Sequence, residues 1–112
     1  MRILGIGVDI VENKRIKLLL NNKRFLSRTF SKNEIKIFKN FANKTNFFAK
    51  RFSAKEAFAK SLGTGFRYNL NMKDIEILNN KEGRPYYNKS KKINDMVYRR
   101  FKIRNYNLFL SI

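Results

Sequence analysis

Arg51-Phe-Ser-Ala-Lys-Glu-Ala-Phe-Ala-Lys-Ser-Leu-Gly-Thr-Gly65 is the stretch on which the reading of this chain turns. Phe48, Phe52, Phe58 and Leu62 fall near one face of a helical period, which predicts a helix from about residue 46 to residue 62, stopped by Gly63 and Gly65. Glu56 and Lys60 are one turn apart on it, and Lys55 adjoins Glu56. A carboxylate flanked by two ammonium groups and followed by Gly-Thr-Gly suits a site for a metal ion and phosphates. Lysines meet phosphate oxygens, the carboxylate meets a hard cation, and glycines let backbone N–H groups approach. The same residues also have a structural reading. Ser53-Ala-Lys-Glu56 is a capping-box pattern, and Glu56 with Lys60 makes an ordinary solvated i,i+4 pair. Phe48 and Phe52 extend the apolar face upstream of Ser53, which argues against a helix start there. From this stretch alone the structural reading is favoured.

The whole chain narrows the chemistry. Its 112 residues suffice for one domain with little core to spare, and 11 Phe within a 43% hydrophobic composition argue for a folded protein despite the charge. The longest apolar run, Ile3 to Ile10, is interrupted by Gly5, Gly7 and Asp9, so no membrane helix is expected. The first residues lack a basic region followed by a long apolar stretch, and the expected location is the cytoplasm. With no cysteine there is no thiolate nucleophile or Cys-type zinc site, and with no histidine the usual general base is missing. Catalysis would have to run on carboxylates, lysines, hydroxyls and a hard metal. The net charge of +18 implies a polyanionic partner: nucleic acid, an acidic protein or a phosphorylated small molecule.

Upstream, residues 2–11 read as a strand with Ile6, Val8 and Ile10 on one face and Gly5, Gly7, Asp9 and Val11 on the other. Glycines on one strand face let a ligand or another backbone come close. Asp9 beside them reads either as a metal ligand or as the cap of the following helix, and the stretch alone does not choose. Residues 12–20 predict a helix with Ile16, Leu19 and Leu20 inward, ended by Asn21-Asn22. Ser31-Lys-Asn-Glu34 is a capping box followed by Ile35, Phe38 and Phe41 at helical spacing, which makes Glu34 structural. Downstream, Met72 to Leu78 alternates as a half-buried strand, Lys81 to Pro85 forms a turn, and Tyr86-Tyr87 completes a hairpin. Ile93, Met96, Val97 and Phe101 mark a last helix capped by Ser90, and residues 107–112 read as a final strand. The order β-α-α-α-β-β-α-β is that of an α+β domain with helices packed on a small, mostly antiparallel sheet.

These residues together resemble a known family. Gly5-Ile-Gly-Val-Asp9-Ile-Val-Glu12 with Arg15-Ile16 resembles the first motif of the holo-[acyl-carrier-protein] synthases, and Arg51 to Gly65 resembles their second. Asp74-Ile-Glu-Ile, Gly83-Arg-Pro85 and Leu110-Ser-Ile112 fall where that family has its hairpin strand, its Gly-Lys-Pro turn and the start of its Ser-Ile-Ser-His segment. Two long motifs in the right order, about forty residues apart, are far more specific than either alone and reverse the preference stated above.

The resemblance implies a 4′-phosphopantetheinyl transferase fold and transfer of the 4′-phosphopantetheine arm of coenzyme A to a serine of an acyl carrier protein. Adenosine 3′,5′-bisphosphate would be released. Asp9 and Glu56 match the magnesium ligands, Glu56 is the candidate for the serine proton, and Lys60 matches the lysine that serves the departing phosphate. Lys55, Gly63, Thr64 and Gly65 would hold phosphate and nucleotide, and Arg51 with Gly83, Arg84 and Pro85 match further coenzyme A contacts. Arg15, Lys23 and Arg24 lie where the carrier-docking surface would present them to an acidic carrier protein. Homotrimers with a site at each subunit boundary are implied as well. The family pattern continues beyond Ser111-Ile112 with a serine or threonine, a histidine and a last strand, so residues 1–112 read as a single domain incomplete at its C-terminal end. Two rivals follow: a remnant that binds coenzyme A or carrier protein without turnover, and a small basic nucleic-acid-binding protein with exposed aromatics among its cations.

Overall fold

Polar side chains start four of the helices in the computed structural model, which describes residues 2–39 and 42–112. Asn22, Ser31, Asn43 and Ser90 accept hydrogen bonds from the backbone N–H three residues on, satisfying donors that a helix start leaves orphaned. The elements are α1 (Asn13–Leu19), α2 (Lys23–Thr29), α3 (Lys32–Phe38), α4 (Lys44–Ser61), β1 (Ile77–Asn79), β2 (Pro85–Tyr87) and α5 (Lys91–Phe101), with a 3₁₀ turn at Met72–Asp74. The capping box expected at Ser31 and Glu34 is present in both directions. Ser53 lies inside α4, as the upstream apolar face required. β1 and β2 form an antiparallel hairpin in the register Ile77↔Tyr87, Leu78↔Tyr86, Asn79↔Pro85. At its turn, Asn80 Oδ1 accepts the Glu82 and Arg84 N–H groups, and Gly83 takes the left-handed φ of +82°. The class is α+β, as expected, and no helix among the described residues is long and apolar enough to cross a membrane.

Four local expectations need correction. Residues 2–11 and 107–112 carry no regular secondary structure and pair with no strand among the described residues. The alternation of residues 2–11 was real, yet its glycine face lies on α4 while Ile6, Val8 and Ile10 point outward at 80%, 72% and 91% exposure. Residues 72–78 are a strand only from Ile77; the 3₁₀ turn takes the start, although Ile75 and Ile77 are buried between less buried Asp74 and Glu76. Helix α2 has no counterpart among the expected elements, because Asn21-Asn22 carries the signal of a helix end. Asn22 is instead a start, accepting from Phe25 N at 3.1 Å. Phe41, read as part of the α3 apolar face, lies outside the described residues.

Helix α4 is the axis of the fold. One buried cluster, Ile16, Phe30, Phe47, Phe48 and Ala49, packs on its N-terminal half. The rings of Phe30 and Phe38 stand 4.6 and 5.0 Å from that of Phe48, within the range of favourable aromatic pairing. A second cluster, Phe58, Leu62, Leu70, Ile75, Ile93, Met96 and Val97, joins its C-terminal half to α5 and the hairpin.

Between the clusters sits a buried ion pair. Lys55 and Glu34 are each 0% exposed, and their charged groups meet at 2.7 Å. Lys55 spends its other donors on the carbonyls of Met72 and Ile75 at 3.0 and 2.6 Å. Glu34 in turn accepts the N–H of Ser31 at 2.9 Å and of Ile77 at 3.2 Å. Burial pushes the Lys55 ammonium below its ordinary range, and the Glu34 carboxylate pulls it back. Such a pair adds little over an apolar core when intact but is costly to break from one side. Lys55→Met is therefore expected to destabilise the fold by about 3–5 kcal/mol in urea unfolding. Adding Glu34→Leu should not restore it, because the Ser31 and Ile77 N–H groups then lose their acceptor; full recovery in the double variant would refute this account.

Candidate functional site

The N-terminal segment lies directly against the backbone of α4. A Cβ on Gly5 would run into the carbonyl oxygen of Ser61, and one on Gly7 into that of Ala57. Ala57 and Ser61 are one turn apart, so the two glycines let the segment track along the helix. This is the close approach that glycines on one strand face foretold, with α4 as the other backbone. Its consequence is the placement of Asp9. Asp9 Oδ1 accepts from Lys60 Nζ at 2.7 Å, and Lys60 also donates to the Val8 carbonyl at 3.2 Å. The Asp9 side chain is 15% exposed and that of Lys60 54%, so the pair sits at an accessible edge.

Glu56 stands one turn before Lys60. Its carboxyl is pushed above the ordinary range first by burial and then by the Asp9 carboxylate, while Lys60 and Arg15 pull it down. Asp9, Glu56, Lys60 and Arg15 thus form one electrostatic cluster drawn from the N-terminal segment, α4 and α1. Among the described residues no group of three or more His, Cys, Asp or Glu side chains is arranged to hold a metal. Two mutually repelling carboxylates do suit a Mg²⁺ ion, which commonly takes one or two carboxylates and completes its shell with water and phosphate. Beyond Lys60, α4 ends in Gly63 and Gly65, with left-handed φ of +76° and +63°. The hydroxyl of Thr64 between them is buried without a partner among the described residues.

Lys55 does not join this cluster. It was expected to hold phosphate, but a step of one residue turns a helix by about 100°, and its ammonium is spent inside the core on Glu34, Met72 and Ile75. Arg51, Gly83 and Pro85 come together elsewhere. They line a cleft of about 230 Å³ with Asn43, Asn46, Lys50 and Asn79 among others. Arg51 donates from Nη2 to Asn79 Oδ1, Asn79 donates to the Gly83 carbonyl, and the Arg51 guanidinium stacks 3.7 Å from the Phe47 ring centre. Asn79 and the Asn43, Asn46, Lys50 row at the start of α4 were missed, although their polar i, i+3, i+4 spacing beside Arg51 was visible. Arg51 and Glu56 are five residues apart, hence about 140° apart around α4. The Asp9 cluster and the Arg51 cleft therefore occupy different sides of one helix. A larger open cleft, about 380 Å³ and lined by Lys89, Arg104 and Tyr106 among others, includes none of the expected residues.

Arg15 is exposed on α1, and Lys23 and Arg24 are exposed in the first turn of α2. Cations there work against the helix dipole, so the stability of α2 does not account for them.

The family model of the 4′-phosphopantetheinyl transferase superfamily matches residues 5–110, and the chain belongs to that superfamily. Within it the chain groups with the holo-[acyl-carrier-protein] synthases and is an enzyme of that kind. The synthase of Pelagibacter ubique (strain HTCC1062) is 55% identical over 112 residues, covering 100% of this chain and 88% of the relative. That of Clostridium botulinum (strain Eklund 17B / Type B) is 43% identical over 111 residues, covering 98% and 86%. Among solved structures, the Neisseria meningitidis synthase superposes with a TM-score of 0.78 at 35% identity, covering 88% of this chain and 80% of that one. The Helicobacter pylori synthase in complex with coenzyme A gives 0.68 at 35%, covering 80% and 77%.

Gly7→Ala is expected to lift the N-terminal segment off α4, since the added methyl cannot coexist with the Ala57 carbonyl. Limited proteolysis should then cut within residues 5–10 faster while the centre of α4 stays intact. Unchanged cleavage in the segment would show that the glycine is not what seats Asp9.

Proposed function

We propose that this enzyme transfers the 4′-phosphopantetheine group of coenzyme A to a serine of an apo acyl carrier protein, with Mg²⁺, releasing adenosine 3′,5′-bisphosphate. The observation that carries the reading is the Asp9–Glu56–Lys60 cluster at an accessible edge of α4. Asp9 and Glu56 would hold the metal, which supplies charge neutralisation on the diphosphate. Glu56, with its proton affinity raised by burial and by Asp9, is suited to accept the serine proton as the Oγ–P bond forms. Lys60, already within reach of Asp9, offers its ammonium to the nucleotide phosphate as the P–O bond breaks. Gly63, Thr64 and Gly65 leave room for phosphate at the helix end, and Arg51, Gly83 and Pro85 offer a cleft to the nucleotide. The H. pylori relative's complex with coenzyme A supports the choice of donor.

Arg15, Lys23 and Arg24 would meet the acidic carrier protein, steering its approach in the cytoplasm. The opposite placement of the Asp9 cluster and the Arg51 cleft around α4 supports a homotrimer whose sites lie between subunits, one subunit giving each half. The bare apolar face of Ile6, Val8 and Ile10 supplies surface for such contacts.

Incubation of apo carrier protein with the enzyme, coenzyme A and Mg²⁺ should add one phosphopantetheine by mass spectrometry. Glu56→Ala or a chelator should lower the rate by roughly a hundredfold or more. Coenzyme A binding without any mass gain would instead identify a remnant that binds without turnover. Light scattering should report a trimer, and Val8→Asp should shift it towards monomer with loss of transfer; a wild-type monomer that is fully active would rule out shared sites.

A further inference from the structure

The C-terminal end of α4 poses an electrostatic difficulty for a phosphate site. The last carbonyls of a helix carry about half a negative charge, yet Gly63-Thr64-Gly65 follows them directly. In the structure a cation from another element meets that end. Arg100, in the last turn of α5, donates from Nε to the Leu62 carbonyl at 2.8 Å. Its guanidinium lies along the open side of Gly63, where a Cβ would stand 3.4 Å from Nη2 and 3.6 Å from Nε. The Arg100 side chain is exposed, and it forms no ion pair with any described carboxylate. With Nε engaged, its two Nη groups meet no hydrogen-bond acceptor among the described residues. Lys60 stands three residues before Gly63, so the turn is bracketed by one cation from α4 and one from α5.

We propose that Arg100 is a second phosphate-binding cation of this site, taking the diphosphate of coenzyme A together with Lys60 rather than only closing the end of α4. The inference rests on the function proposed above. Two chemical features favour it. A guanidinium presents parallel N–H donors that match phosphate oxygens two at a time. Its bond to Leu62 fixes the planar group before the ligand arrives, so little side-chain entropy is lost on binding. The Asp9–Glu56–Lys60 cluster, where the diphosphate chemistry would occur, lies on the same stretch of α4, whereas the Arg51 cleft lies on another side.

Calorimetric titration of coenzyme A and of 3′-dephospho-coenzyme A into the wild type, Arg100→Gln and Arg100→Lys tests it at two salt concentrations. Arg100→Gln should weaken both ligands by roughly tenfold to a hundredfold and flatten the salt dependence. Arg100→Lys, which keeps the charge but gives up the paired guanidinium donors and the Nε bond to Leu62, should recover only part of the affinity. Unchanged affinity in Arg100→Gln, or a loss that leaves the salt dependence unchanged, would reduce Arg100 to a helix cap and overturn the proposal. A loss confined to coenzyme A would assign Arg100 to the 3′-phosphate and overturn the diphosphate assignment. A wild type that binds neither ligand would overturn the proposed function itself.

Discussion

The pairing of Lys55 with Glu34 in the core constrains everything else in this fold. Each charge removed from water costs several kcal/mol, and the loss is offset only where every donor and acceptor is met. Here the ammonium has a carboxylate and two carbonyls, and the carboxylate has two backbone N–H groups besides. The network therefore joins the start of α3, the middle of α4 and the segment leading into β1. It also sets the rotation of α4, because Lys55 has to point at Glu34. Helix geometry then turns Glu56 and Lys60 towards the N-terminal segment and leaves Arg51 on the side of the hairpin.

Around that axis the chain divides its labour by contact with the helix backbone. Gly5 and Gly7 accept the carbonyls of α4 where a side chain would sit, which brings Asp9 to Lys60. On the far side, Asn79 and Gly83 tie the hairpin turn to Arg51. The other face of the segment, Ile6, Val8 and Ile10, is covered by none of the described residues. Apolar exposure on an unpaired extended segment is a liability in an isolated molecule and an asset where another surface covers it.

Much of the architecture was legible because its signals were local. The Ser31–Glu34 capping box, the apolar spacing through Phe48, Phe58 and Leu62, the Lys81 to Pro85 turn and the Ser90 cap each depend on residues a few positions apart. Helix α2 escaped because an asparagine both ends helices and starts them, and only the Phe25 N–H decides which. The terminal strands were overread for a related reason: period-two alternation reports that two faces differ, and does not say what lies against them.

The sequence by itself determined the helix carrying Glu56 and Lys60, the hairpin, and the two motifs that mark the superfamily. These follow from residue type and spacing along a single backbone. Only the tertiary structure decided that Lys55 belongs to the core while its neighbour Glu56 faces Asp9. It also placed the Asp9 and Arg51 halves on different sides of α4, and brought Arg100 from α5 to the turn at Gly63. Those outcomes depend on contacts between residues 21 to 51 positions apart in the chain. Which partner a charge finds at that separation is settled by packing, not by spacing.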